Sequence, residues 1–176
     1  MKKAFLILGE LNNEDLDWIA RQGRKRNLQA GDTLIYEGQQ INALYFVLSG
    51  AFSVVLLPPA DRELARIASG EVIGEISFVD NRLPIATVKA IETSIVLEIP
   101  RYRIETKLLQ DLGFASRFYR GLSLCLSDRM RATVRHLGYG IALDAPELSD
   151  PEPLPIEPQA LDLVRAKFNW LVQQAG

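Results

Sequence analysis

Hydrophobic and polar positions along this chain change period twice. Over residues 12–23 Leu16, Ile19 and Ala20 recur at helical spacing, behind Asn12 or Asn13 as a cap and Glu14 and Asp15 in the first turn. That spacing predicts a short helix ending at Gly23. From Arg24 to Pro100 the texture becomes short β-rich runs separated by turns. The runs are Leu34–Tyr36, Leu44–Leu48, Phe52–Leu57, Leu64–Ala68, Glu71–Ile73, Thr87–Ile91 and Ser94–Ile99. Val54, Leu56, Leu64, Ile67, Val88, Ile95, Leu97 and Ile99 sit at pleat spacing and are predicted core. Gly31, Gly38, Gly50 and Gly70 fall where strands would reverse, so positive φ is expected there.

From Arg101 to about Leu137 the period is helical again. Ile104, Leu108, Leu112, Ala115, Tyr119, Leu122, Leu126, Met130, Thr133 and Leu137 follow at steps of three or four and predict one apolar stripe. Gly113 is the expected break between two helices and a candidate hinge. Residues 144–158 hold five prolines and five acids with no base, which predicts an extended acidic linker. A final amphipathic helix is expected from Gln159, with Leu161, Val164, Phe168 and Leu171 on a face that needs a surface to dock on. The expected organisation is an N-terminal helical segment over 1–23, a β-barrel over 24–100, C-terminal helices over 101–137, a linker over 138–158 and a terminal helix over 159–176.

Composition narrows the function classes. The 176 residues carry a formal net charge of −2, without the basic excess usual in a nucleic-acid binder. Residues 101–136 do hold a local excess of five positive charges, which reads as a solvated face or as a surface for the acidic linker. Only one helix is expected after that linker, too little for a helix-turn-helix, so no nucleic-acid partner is expected. The single cysteine, Cys125, excludes an intramolecular disulfide, fits a reducing, cytoplasmic setting, and reads as a small buried hydrophobe. The lone His136 makes no metal cluster and reads as a solvated helix end. The apolar run Ala4–Leu8 is too short for a secretory leader, and no stretch approaches the length of a membrane span. No catalytic constellation and no P-loop is present, so neither catalytic nor metal-ligating residues are expected.

The β region resembles the cyclic-nucleotide-binding domain family, which includes catabolite-activator-like regulators, kinase regulatory subunits and nucleotide-gated channels. The resemblance rests on residues 28–35 (LQAGDTLI), 37–38 (EG), 44–50 (LYFVLSG), 67–75 (IASGEVIGE) and 86–90 (ATVKA), in order and at family spacing. It implies a mainly β fold with helices, a double-stranded β-helix or jelly-roll-like β-barrel, flanked by an N-terminal helix and C-terminal helices.

It also implies a phosphate-binding cassette over 73–87, with Ile73, Gly74, Glu75, Ile76, Ser77, Phe78, Arg82, Pro84, Ala86 and Thr87 as the candidate ligand-binding residues. Gly74 would let a sugar and phosphate approach the backbone. Glu75 would accept from a ribose hydroxyl or hold a nearby turn, and the N–H groups of Ile76, Ser77 and Phe78 would meet an anion. Counted without gaps, the family's phosphate arginine falls at Pro84, which has neither charge nor donor. A lost guanidinium–phosphate contact, at roughly 1.5–3 kcal/mol per bond, weakens binding by about one to two orders of magnitude.

Three readings follow: Arg82 replaces the missing charge and the chain is a cyclic AMP or cyclic GMP sensor; the pocket takes another ligand; or the fold is an interaction module with a degenerate pocket. The expected function is a regulatory, signalling module, with a cyclic nucleotide as the candidate small ligand and no other cofactor. A homodimer through the Ala115–Leu137 helix and an unidentified protein are the candidate partners, and no membrane partner is expected. A catabolite-activator-type transcription regulator lacking its DNA-binding domain is a further alternative.

Overall fold

The computed structural model describes residues 2–56, 62–136 and 158–174. Among the described residues, eight strands form two four-stranded antiparallel sheets. One sheet runs β1 (Arg24–Leu28), β8 (Ser94–Pro100), β3 (Ala43–Ser49), β6 (Val72–Ile73); the other runs β2 (Thr33–Ile35), β7 (Thr87–Ala90), β4 (Ala51–Leu56), β5 (Arg62–Ala68). The result is a two-sheet roll of the jelly-roll type rather than one closed barrel. Gly31, Gly38, Gly50 and Gly70 all adopt positive φ, as expected at the reversals. At Gly50 the requirement is absolute, because a Cβ there would sit 2.6 Å from the Cα of Ser94.

β3 explains how the layers assemble. Its side chains alternate: Ala43, Tyr45 and Val47 face the second sheet, whereas Leu44, Phe46 and Leu48 face the helices. β3 is therefore buried on both faces and reads as a continuous apolar run. β8 repeats the division, with Val96 on one side and Leu97 and Ile99 on the other. The outer face of the second sheet meets solvent, so Leu64 is exposed on β5, an edge strand, against the expectation that it is core. β1 was not anticipated: its sequence, Arg-Lys-Arg-Asn-Leu, is polar because only Leu28 is buried.

The helices pack on the first sheet. α2 (Asn13–Gln22) starts at Asn12 through a capping box with Asp15 and ends at Gly23. Asp15 also accepts from the Arg117 guanidinium at 2.6 and 2.9 Å, which pins α2 to α5 (Leu112–His136). The run Ala4–Leu8, considered above only as a leader, is the buried side of a further helix, α1 (Ala4–Glu10). α1 lies against α5, where Gly121 removes the Cβ that would stand 2.7 Å from the Ile7 Cα.

α6 (Pro158–Gln174) covers the other side of α1. Val164, Phe168 and Leu171 are buried, Phe168 meets Phe5 at 5.6 Å, and Lys167 Nζ donates to the carbonyls of Leu8 and Leu11 at 3.2 and 2.6 Å. The docking surface that the amphipathic pattern required is thus α1 with α2. The ammonium serves carbonyls that α1 leaves open at its C-terminal end. Burial holds the Lys167 pKa below the ordinary lysine value.

The C-terminal stripe is phased differently from expectation. α4 (Arg101–Gln110) ends at Asp111, not at Gly113, which lies inside α5. Asp111 Oδ1 accepts from the Phe114 N–H at 2.8 Å and so starts α5. This break resets the helical phase. The buried face of α5 is Phe114, Phe118, Leu122 and Cys125, while Leu112, Tyr119 and Met130 point outward. The acidic linker and its contact with the basic helix, Leu137 and the side chain of His136 lie outside the described residues. Among the described residues, no helix is long and apolar enough to cross a membrane.

Candidate functional site

Ile73 closes β6 opposite Tyr45 and delivers the chain to Gly74. Gly74 has φ +93°, and a Cβ there would lie 3.2 Å from the Ala43 carbonyl oxygen, so the position needs glycine on both counts. A short helix follows, α3 (Glu75–Asp80). The Phe78 N–H donates to the Gly74 carbonyl at 3.0 Å, so of the three amides expected to face an anion, Phe78's is already used. Asn81 ends the turn at φ +59°, its N–H donating to Ser77 O at 3.1 Å.

Arg101, at the start of α4, donates to the carbonyls of Ser77 and Phe78 at 2.9 and 3.0 Å and to Asn81 Oδ1. Its guanidinium also lies 5.0 Å from the centre of the Phe78 ring. Phe78 in turn meets Phe118 of α5 edge-on at 5.8 Å. The cassette turn is therefore clamped to both C-terminal helices.

The rest of the cassette is tied to the segment after β2. Thr87 Oγ1 accepts from the Glu37 N–H at 3.1 Å, and the Pro84 carbonyl accepts from the Gly38 N–H at 2.9 Å. Ala86 and Thr87 are buried, and Pro84 is half-buried. The two sequence candidates for phosphate recognition do not converge on α3. Arg82 is 85% exposed, with its Nε 3.9 Å from Asp80 and its backbone N–H donating to Asp80 Oδ1 at 3.0 Å. Ile76, Val79, Leu83 and Ile85 are exposed apolar residues of the same stretch.

Glu75 is 2% exposed and faces Arg129 of α5, with Nε 3.0 Å from Oε1. The N–H is not aimed at the carboxylate, so the two groups attract as charges without a hydrogen bond. Arg129 donates instead to the Val72 carbonyl at 3.2 Å. Burial pushes the Glu75 pKa above the ordinary carboxylate range, and the nearby guanidinium opposes that rise. The same neighbourhood holds Cys125, whose thiol is pushed up to about 12 by burial and by the charge of Glu75. Buried and un-ionised, Cys125 behaves as the small hydrophobe expected of it.

Sequence reasoning placed Glu75, Gly74, Ser77 and Thr87 in one constellation; in the structure Gly74, Glu75 and Ser77 lie at the start of α3, and Thr87 starts β7, bonded to the segment after β2. That reasoning missed Arg101 and Arg129, which were counted only as charges on a basic helix. Arg129 follows Phe118, Leu122 and Cys125 at steps of four, three and four, so the correct helical phase would have put it on the buried face. No comparable spacing marks Arg101.

The comparisons with known proteins agree with this geometry. Residues 25–111 match the family model of the cyclic nucleotide-binding domain. An uncharacterized NTE family protein of Mycobacterium tuberculosis is 29% identical over 124 residues, which are 70% of this chain and 20% of the relative. The chain thus spans about one fifth of the length of that curated relative. The catabolite activator protein of Thermus thermophilus superposes with a TM-score of 0.64 at 24% identity, over 76% of this chain and 62% of that one. The regulatory subunit of a cAMP-independent protein kinase A from Trypanosoma brucei gives a TM-score of 0.54 at 20% identity, over 76% and 43%. With a matching model, a two-sheet roll and a cassette turn clamped to the helices behind it, residues 25–111 of this chain belong to the cyclic nucleotide-binding domain family.

Proposed function

We propose that the chain is a regulatory module of this family whose affinity for cyclic nucleotides is weakened or lost, and which acts through the position of α4 and α5. The observation that carries this reading is the pairing of Glu75 with Arg129. The acid that the family resemblance assigns to a ribose hydroxyl is buried and already faces a cation from α5. A ligand reaching for it must displace that cation. At the phosphate end Pro84 offers no charge and Arg82 is solvated. In the Mycobacterium relative the matching segment is a fifth of the chain, which supports reading the fold as a control element that acts on something outside itself. The reading assigns this chain no catalytic step of its own.

The structure also favours a second copy as a partner. Tyr119 and Met130 are exposed on α5, in line with the outward face that a helix pairing needs. Light scattering at tens of micromolar tests this, and a monomer mass retires the dimer.

Calorimetric titration of the full chain with cyclic AMP and cyclic GMP tests the central reading. The expected result is no saturation below about 100 μM, given the missing charge-assisted contact. Low-micromolar binding that disappears in Arg82→Ala would instead establish the sensor reading.

A further inference from the structure

Beside the cassette, where Ile41 and Tyr45 pack near Gly74, a cavity of about 290 Å³ opens between β1, β2 and the segment 36–42. None of residues 73–87 lines it. Its wall carries an unusual share of hydrogen-bonding side chains: Arg26, Thr33, Gln39, Gln40, Asn42 and Tyr45. Tyr45 is 7% exposed, and among the described residues its hydroxyl has no hydrogen-bond partner. The side chains of Thr33, Gln39, Gln40 and Asn42 likewise make no hydrogen bond within the described residues. The Tyr45 hydroxyl is not among the sealed polar atoms of the described residues, so it opens onto the cavity and is free to donate to an occupant.

Charge sets the class of the missing acceptor. Glu98, paired across the strands with Tyr45, is buried beside this cavity. Its Oε1 accepts from Arg24 at 2.6 and 3.2 Å, but its Oε2 is 3.5 Å from Arg26. Arg24 therefore neutralises Glu98, and Arg26 keeps most of its donor capacity on the cavity wall. Two guanidinium groups against one carboxylate leave one positive charge over. Burial, together with the negative Glu98, raises the Tyr45 pKa, so the hydroxyl stays protonated and able to donate.

We infer that this cavity is a second ligand site, which takes a small organic anion bearing one phosphate or carboxylate group, held by Arg26 and the Tyr45 hydroxyl and flanked by the Gln39, Gln40 and Asn42 amides. The volume suits a metabolite-sized molecule and falls just below the usual range for drug-sized ligands. The site has a mechanical link to the cassette. The segment that walls it is the one whose Glu37 and Gly38 amides hold Thr87 and Pro84, so an occupant that orders this segment also orders the cassette's second half.

The test is an amide chemical-shift titration of the full chain with inorganic phosphate and with glycerol 3-phosphate. Saturable shifts centred on Arg26 and residues 36–42 are expected, with a Kd below about 10 mM for glycerol 3-phosphate. Arg26→Gln is expected to weaken binding about tenfold or more and Tyr45→Phe, which removes only the hydroxyl, about five- to tenfold. Arg66→Gln, an exposed charge on β5 away from the cavity wall, leaves it unchanged. If phosphate alone shifts these residues as strongly as the organic ester, the occupant is the free anion and the organic part of the assignment fails. No saturation, equal weakening in Arg66→Gln, or shifts confined to residues 74–78 would overturn the site altogether.

Discussion

Replacing Arg129 with methionine separates the charge pairing of Glu75 from the packing around it. The substitution keeps the unbranched stem and removes the guanidinium 3.0 Å from a carboxylate that is 2% exposed. Breaking a buried pair from one side costs about 3–5 kcal/mol when the contact is fully buried and hydrogen-bonded. Here the Arg129 side chain is 27% exposed and its Nε–H is not aimed at the acid, so about 2–4 kcal/mol at pH 7.5 is the better figure. The lost bond to the Val72 carbonyl accounts for about 1 kcal/mol of that, independent of pH.

The remainder depends on pH in a definite sense. The folded-state pKa of Glu75 is raised, so the proton binds more tightly in the folded state than in the unfolded one. The stability this group contributes is then fully present below its unfolded value of about 4.3 and is lost as pH rises through the folded value. Removing Arg129 raises that folded value further. The defect is therefore smallest at acid pH and grows towards neutrality. Urea unfolding of the native chain, Arg129→Met, Glu75→Gln and the double variant, at pH 5 and pH 7.5, reads all of it. The double variant is expected to recover about half or more of the loss at pH 7.5, because no unpaired charge remains. An equal loss at both pH values without rescue by Glu75→Gln would refute the reasoning.

Three further outcomes follow from the packing. Gly121→Ala should destabilise the chain by about 1–3 kcal/mol although alanine is the better helix former by about 1 kcal/mol, since its Cβ would press on the Ile7 backbone; thermal unfolding decides the sign. Phe168→Ala should cost about 3–5 kcal/mol by the same measurement if α6 is an integral cover of α1, and close to nothing if α6 is detached. Cys125, with its thiol pushed up to about 12 and its side chain buried, should resist iodoacetamide at pH 8 in the native state and react at once in denaturant; fast native labelling would mean that α5 opens readily.

The cassette was legible from sequence because its constraints are local. Gly74 must adopt positive φ, α3 is a single short segment, and Thr87 lies at a fixed distance along the chain. β3 was legible for a related reason: burial on both faces leaves an unbroken apolar run. α1 was hidden because seven residues are too few to display a helical period, and its burial depends on α5 and α6, far away in sequence. The phase of α5 was misread because Leu112 and Met130 are as apolar as Phe114 and Phe118, and only the break at Asp111 decides which set turns inward. Arg129 then fell on the solvent side of the predicted helix. The Glu75–Arg129 pair joins residues 54 positions apart, a separation at which sequence spacing gives no sign of contact.

The most direct measurement is the ratio of cyclic AMP affinities between Pro84→Arg and the native chain, by calorimetry under one buffer. Restoring a guanidinium at the position where the family resemblance expects one should tighten binding by roughly ten- to hundredfold from a weak or undetectable starting point. A native chain that already binds in the low micromolar range, and gains nothing from the arginine, would contradict the account.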